Sequence, residues 1–261
     1  MSQASQGPVQ VIDRVLDIIE TLSKSPRGML LSEIAPAVKL HVSTVHRLLA
    51  SLSARGYVCK DHESGRYRLT MRMFEIGSGA IVENSLLAAA KPAMETLSAQ
   101  TLEVVHLAIQ DGNGLLYLHK EDPGVNIVRM GSRTGMRGPL YCTGAGKVLM
   151  SAWTDEELMD RWPDLKVVRY TNNTIVSLEQ MKRETNRIRK RGYALDIEEH
   201  ELGVRCVAAA IHNHYGITVA AISISTPSSR MKDRESVSKN AELVKDAARS
   251  ISERLGFPKE A

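Results

Sequence analysis

The strongest constraint in this sequence is a change of period within its first seventy residues. The apolar positions Ile12, Val15, Leu16, Ile19 and Leu22 recur at the i, i+3, i+4, i+7 spacing of one helix face, and Ser25-Pro26-Arg27-Gly28 ends that helix. A second short helix follows Ser32, whose hydroxyl is suited to cap free N–H groups, and buries Ile34 and Val38. A third starts near Ser43, turns Val45, Leu48, Leu49 and Leu52 inward and stops at Gly56. There the period falls to two. Tyr57–Lys60 and Arg66–Leu69 read as strands joined by Asp61-His62-Glu63-Ser64-Gly65, whose glycine supplies the positive φ of a hairpin turn.

Charge points the same way. The 261 residues carry 34 Lys and Arg against 30 Asp and Glu, a net +4 that identifies no nucleic-acid binder by itself. Between Lys39 and Arg72, however, seven basic residues face two acidic ones, a net +5. The outward face of the third helix carries Thr44, Arg47, Ser51 and Arg55, with Ser43 and His46 near its start. Such a face fits the major groove, where Arg bonds guanine bidentately and Ser or Thr anchors a phosphate. Arg66 and Arg68, two apart, share one strand face and are expected to point outward, leaving Tyr67 and Leu69 for the core. An isolated basic helix is more often a solvated surface. Three helices followed by an arginine-bearing hairpin instead make a winged helix-turn-helix, with duplex operator DNA as partner and Ser43, Thr44, His46, Arg47, Arg66 and Arg68 as candidate contacts.

The rest of the chain is long enough for a second domain, and 43% hydrophobic against 25% charged residues supply a core. Aromatics are 4%, with Phe74 and Phe257 the two phenylalanines, which argues against a platform for unpaired bases. Cys59, Cys142 and Cys206 make an odd, sparse set without CxxC, as in a reducing compartment. With short apolar runs and no basic-then-apolar N-terminus, a cytoplasmic protein without membrane span or signal peptide is expected. The reading gives a flexible N-terminus at 1–8, a DNA-binding domain at 9–70, a linker helix at 71–85 and an effector domain at 86–261. Helices fall near 86–100, 143–153, Thr154 onward, Ser177–Gly192 and 233–255. Strands fall near 103–110, 114–121, 125–131, 193–196, 205–212 and 217–225. Thr154–Glu157 and Ser177–Gln180 both fit the capping box. Met73, Phe74, Ile76, Ala80 and Ile81 on the linker need a partner surface, which predicts a homo-oligomer.

Three polar or small-residue groups interrupt the apolar strands. Gly138–Lys147 is a glycine-rich helix entry whose free N–H groups favour an anion; Val148 stands where a P-loop needs Ser or Thr. Asp196–Cys206 holds an acidic run, and Ser223-Ile224-Ser225 points two hydroxyls to one side of a strand. Each has an ordinary explanation in packing or solvation. An enzyme is the alternative: Cys206, His200 and Asp196 as nucleophile, base and orienter, attached to an accessory nucleic-acid-binding domain. No catalytic signature surrounds the cysteine. For metal there is only His212-Asn213-His214, more readily a solvated turn, and no cofactor or metal is expected.

Ser43-Thr44-Val45-His46-Arg47-Leu48-Leu49, Arg55-Gly56-Tyr57-Val58, Gly65-Arg66-Tyr67-Arg68-Leu69 and Phe74-Glu75-Ile76-Gly77 closely resemble the IclR-type bacterial transcriptional regulators, a likeness that covers nearly the whole chain. Pro36 within the second helix and Lys39 in place of the usual turn glycine depart from that pattern and imply a small distortion. The resemblance implies an α+β protein: a winged helix-turn-helix joined by a linker helix to a GAF-like effector-binding domain with a central antiparallel sheet. It implies that Gly144 and Ala145 offer backbone contacts while Asp196, Cys206, Ser223 and Ser225 line a pocket for a small carboxylate such as a sugar acid or 2-keto acid. It also implies a homodimer or dimer of dimers, repressing a catabolic operon. Pro139-Leu140-Tyr141 resembles the 2-keto-3-deoxygluconate regulator branch, and the scarcity of Phe favours an aliphatic effector.

Overall fold

In a computed structural model residues 10–82, 85–124 and 131–258 are described. The expected flexible N-terminus at 1–8 and most of the strand expected at 125–131 lie outside them. The chain divides into two compact units, Met1–Glu83 and Asn84–Ala261.

The first unit contains α1 (Gln10–Ser23), α2 (Leu31–Ala37), α3 (Val42–Ala54), β1 (Val58–Lys60), β2 (Tyr67–Leu69) and α4 (Met71–Val82). Its core gathers Ile18, Leu22, Ile34, Val45, Leu49, Val58 and Tyr67 from every element before α4. Ile12 and Leu16, expected inward, are instead exposed with Val11, because the chain folds against the Ile18–Leu22 side of α1 alone. Ser32 does not cap α2. Its helix begins one residue earlier, and the Glu33 carboxylate accepts the Leu30 N–H at 2.7 Å. Pro36 lies so near the end of α2 that little helix remains to break, and Lys39 takes φ +53° where glycine would be unstrained. β1 and β2 pair antiparallel, Cys59 opposite Arg68, and Gly65 has the positive φ that closes the hairpin.

The second unit is a six-stranded antiparallel sheet in the order β5-β4-β3-β8-β7-β6. Its strands are β3 (Val104–Asp111), β4 (Gly114–Glu121), β5 (Arg137–Pro139), β6 (Ala194–Ile197), β7 (Val204–His212) and β8 (Thr218–Pro227). β5 is absent from the sequence reading. Its three residues include Gly and Pro, which carry no strand signal. Val105, Leu107, Val207, Ile222 and Ile224 alternate onto one face, packed with α5 (Ser85–Thr101) and α9 (Arg234–Arg254). The other face, with Ala108, Ala208 and Ala221, lies against α6 (Gly144–Ser151), α7 (Asp155–Arg161) and α8 (Leu178–Arg191). Thr154 caps α7 with a reciprocal bond from Glu157. Ser177 makes no such bond, although it precedes α8 in the extended conformation that a cap needs.

Candidate functional site

In the first unit, α3 presents Ser43, His46 and Arg47 exposed and Thr44 half-buried, because Val45, Leu48 and Leu49 occupy the opposite side. Ser43 Oγ lies 2.9 Å from His41 Nδ1. The side chains of Thr44, His46 and Arg47 have no hydrogen bond or ion pair among the described residues, so their polar groups are unengaged. Arg68 is exposed, with Nε 3.3 Å from Cys59 Sγ across the hairpin. Arg66 corrects the expectation of two outward guanidinium groups. Its Nη1 donates to Gly28 O and to Glu33 Oε2, both at 3.0 Å, which ties β2 back to α2 and the turn before it. That contact holds the Glu33 carboxyl below its ordinary range, after the larger effect of the Leu30 N–H.

In the second unit the sheet register does the assembling. Asp196 lies opposite Cys206, Cys206 opposite Ser225, and Ser223 opposite His106. Directly opposed residues share a face, so polar side chains from β6, β7, β8 and β3 meet on the α6 side of the sheet. Cys206 Sγ is 3.1 Å from Ser225 Oγ, which is 3.3 Å from His106 Nδ1; His106 Nε2 is 2.7 Å from Ser132 Oγ. Burial drives His106 down to about 3, so the imidazole is neutral.

The N-terminus of α6 stands over this row. Thr143 Oγ1 accepts the Gly146 N–H at 3.1 Å, and the N–H groups of Gly144 and Ala145 find no acceptor among the described residues. The two glycines differ in role. A Cβ on Gly146 would fall 2.2 Å from Leu140 O, so that residue serves packing; one on Gly144 would meet Cys206 Cβ at 3.4 Å, in ordinary contact. Between helix and sheet lies a cavity of about 160 Å³, which Gly144, Ala145, Asp196, Cys206, Ser223 and Ser225 all line. An apolar cavity of about 150 Å³ holds benzene, so one small organic molecule fits.

Sequence reasoning missed His106, Tyr117 and Ser132 in the same wall. The rings of His106 and Tyr117 lie 4.9 Å apart and give the wall, which has no Phe, an aromatic surface. Behind the cavity Lys147, 1% exposed, reaches Glu199 Oε1 and Leu195 O, while Glu199 Oε2 has no partner among the described residues.

The enzyme alternative loses its geometry. Cys206 bonds Ser225 rather than His200, whose ring packs edge-on against Tyr170 at 4.8 Å, and burial pushes the Cys206 thiol up, away from a thiolate. His212 contacts Thr218 and His214 lies past the end of β7; no group of three or more metal-ligating side chains occurs among the described residues. No described helix is long and apolar enough to cross a membrane.

A DNA-binding winged helix followed by a ligand-sized cavity defines a transcriptional regulator rather than an enzyme. Comparison with known proteins agrees: residues 11–62 match the IclR helix-turn-helix domain, and residues 78–253 match the bacterial transcriptional regulator IclR C-terminal family. The chain therefore belongs to the IclR family of bacterial transcriptional regulators. It is 35% identical over 250 residues to the HTH-type transcriptional regulator KdgR of Escherichia coli K12, covering 95% of this chain and 94% of that one. It is likewise 35% identical over 253 residues to the repressor AllR of the same strain, covering 97% and 93%. Among solved structures it superposes on the Thermotoga maritima IclR with TM-score 0.80 at 31% identity, over 96% of this chain and 100% of that one. A Rhodococcus sp. RHA1 regulator gives 0.84 at 31%, over 95% and 98%.

Proposed function

We propose that this regulator represses a catabolic operon and that a small carboxylate metabolite, a sugar acid or 2-keto acid, alters its grip on the operator. The observation that carries the reading is the pair of free N–H groups at Gly144 and Ala145, aimed into a cavity whose far wall bears the Ser223 and Ser225 hydroxyls. Such an N-terminus favours negative charge. In this reading residues 9–70 bind DNA, 71–85 link and 86–261 sense. Ser43, Thr44, His46 and Arg47 meet the major groove, with Arg68 at the backbone and Arg66 bracing the hairpin.

The protein works as a homodimer or a dimer of dimers. Val11, Ile12 and Leu16 on α1 and Met71, Phe74 and Ile76 on α4 are exposed apolar residues that a second copy would cover; Ala80 and Ile81 lie outside the residues with described side chains. Thermal shift with a panel of small acids tests the effector assignment, because a ligand at about 100 times its Kd adds roughly 2.7 kcal/mol. If Cys206→Ser and Asp196→Ala both keep the wild-type shift, the pocket assignment is wrong.

A further inference from the structure

One carboxyl in the cavity has no counter-charge of its own. Asp196 is 4% exposed, its Oδ1 accepts the Glu199 N–H at 2.8 Å, and no side chain among the described residues bonds its other oxygen. The cation that acts on it, Lys147, is already engaged by Glu199 Oε1 and Leu195 O. Among the described residues lining the cavity only Arg137 on β5 is cationic, and it is already paired with Asp111. Cys206 on β7, Tyr117 on β4 and Cys142 before α6 stay neutral, because burial pushes each of them up. His106 on β3 and His200 after β6 are pushed down by burial and are neutral too. Glu199 and Glu201 are acids. An ionised Asp196 would therefore confront an arriving carboxylate across a cavity of about 160 Å³, with Lys147 already engaged by Glu199 and Arg137 by Asp111.

We propose that Asp196 meets the effector as a carboxylic acid, donating a hydrogen bond to an oxygen of the bound anion, so that the site takes up one proton together with its ligand. The inference rests on the carboxylate reading of the cavity. Burial first, then the Glu199 charge, pushes Asp196 up to about 7, so the proton comes from solvent at little cost near neutrality.

Two measurements test it. Without ligand, the wild type should lose stability relative to Asp196→Asn as pH rises from about 4 to 7, the range over which the unfolded chain releases a proton that the folded one keeps; above 7 the gap should stop growing. With ligand, pyruvate serves as probe because it stays ionised throughout. Pyruvate Kd for the wild type should rise about tenfold for each pH unit above 7. Calorimetry in buffers of different ionisation heat should show the matching proton uptake. Asp196→Asn, whose amide N–H groups can donate at every pH, should bind pyruvate with a flat profile. A stability gap that does not change with pH, or the same affinity slope in both proteins, overturns the proton and leaves the acid-binding reading standing. Failure of pyruvate to bind at any pH, for a wild type that folds, removes both.

Discussion

The buried pair behind the cavity permits a quantitative test. Lys147→Met keeps the length and apolar stem of the side chain but removes the ammonium that Glu199 Oε1 contacts, and Oε2 is already without a partner among the described residues. The carboxyl is 6% exposed and would respond by taking a proton. Each pH unit over which the variant keeps that proton and the wild type has released it adds about 1.4 kcal/mol to the variant's deficit. Because burial already raises Glu199 in the wild type, the deficit should be small at pH 5 and climb with pH toward the ~3–5 kcal/mol seen when one partner of a buried pair is removed. Burial already raises Glu199 against the pull of Lys147, so the sign is fixed: the variant's deficit grows as pH rises. Trp153 and Trp162 both lie in the second unit, so their fluorescence during urea unfolding reports on it alone. A deficit equal at pH 5 and pH 7 would refute the reasoning. So would a double variant, Lys147→Met with Glu199→Leu, that kept the slope.

Arg47→Ala should weaken operator binding by about 1–3 kcal/mol and relax sequence preference; equal losses on cognate and random duplexes in a gel shift would reject base reading by Arg47. Arg66→Ala should act through the hairpin, speeding hydrogen exchange at Met29 and Tyr67, whose N–H groups bridge the segment that Arg66 ties down; unchanged exchange with a flatter salt slope would restore a phosphate contact. Gly146→Ala should destabilise the second unit by about 1–3 kcal/mol or more, since its Cβ cannot fit beside Leu140 O. Gly144→Ala should fold but lose the thermal shift given by acids, and a preserved shift would remove Gly144 from the site.

Much of the fold was legible because period and burial are local. The switch from 3.6 to 2 at Gly56 placed α3 and the hairpin, and alternation along 217–225 placed Ser223 and Ser225 on one face. The misses mark where local signals are degenerate. A serine before an apolar run looks like a cap whether or not its hydroxyl is used: Ser32 lies inside α2, whose cap position is Leu30, and Ser177 takes the extended cap conformation without making the bond. Strand alternation fixes the side from which Arg66 leaves the backbone, but a long side chain then goes where a carboxylate awaits it. Glu33 lies 33 residues earlier in the chain.

The candidate site was harder for the same reason. In sequence His106 is a lone imidazole in an apolar strand, and Lys147 a lone cation in an apolar helix. Each reads as core or as surface, because the partner that gives it meaning lies far along the chain: Ser225 is 119 residues from His106, and Glu199 is 52 from Lys147. Only the β3–β8 and β6–β7–β8 registers bring these groups together, and a register follows from every apolar residue of the strands at once. A one-residue slip would send Cys206, Ser223 and Ser225 to the α5 and α9 face. The apolar residues between them, Val207, Ile222 and Ile224, are fully buried against those helices, so they make that slip costly. The polar row is therefore positioned by residues that take no part in it, and substitutions in that apolar layer should disturb effector response before they disturb any contact to the ligand.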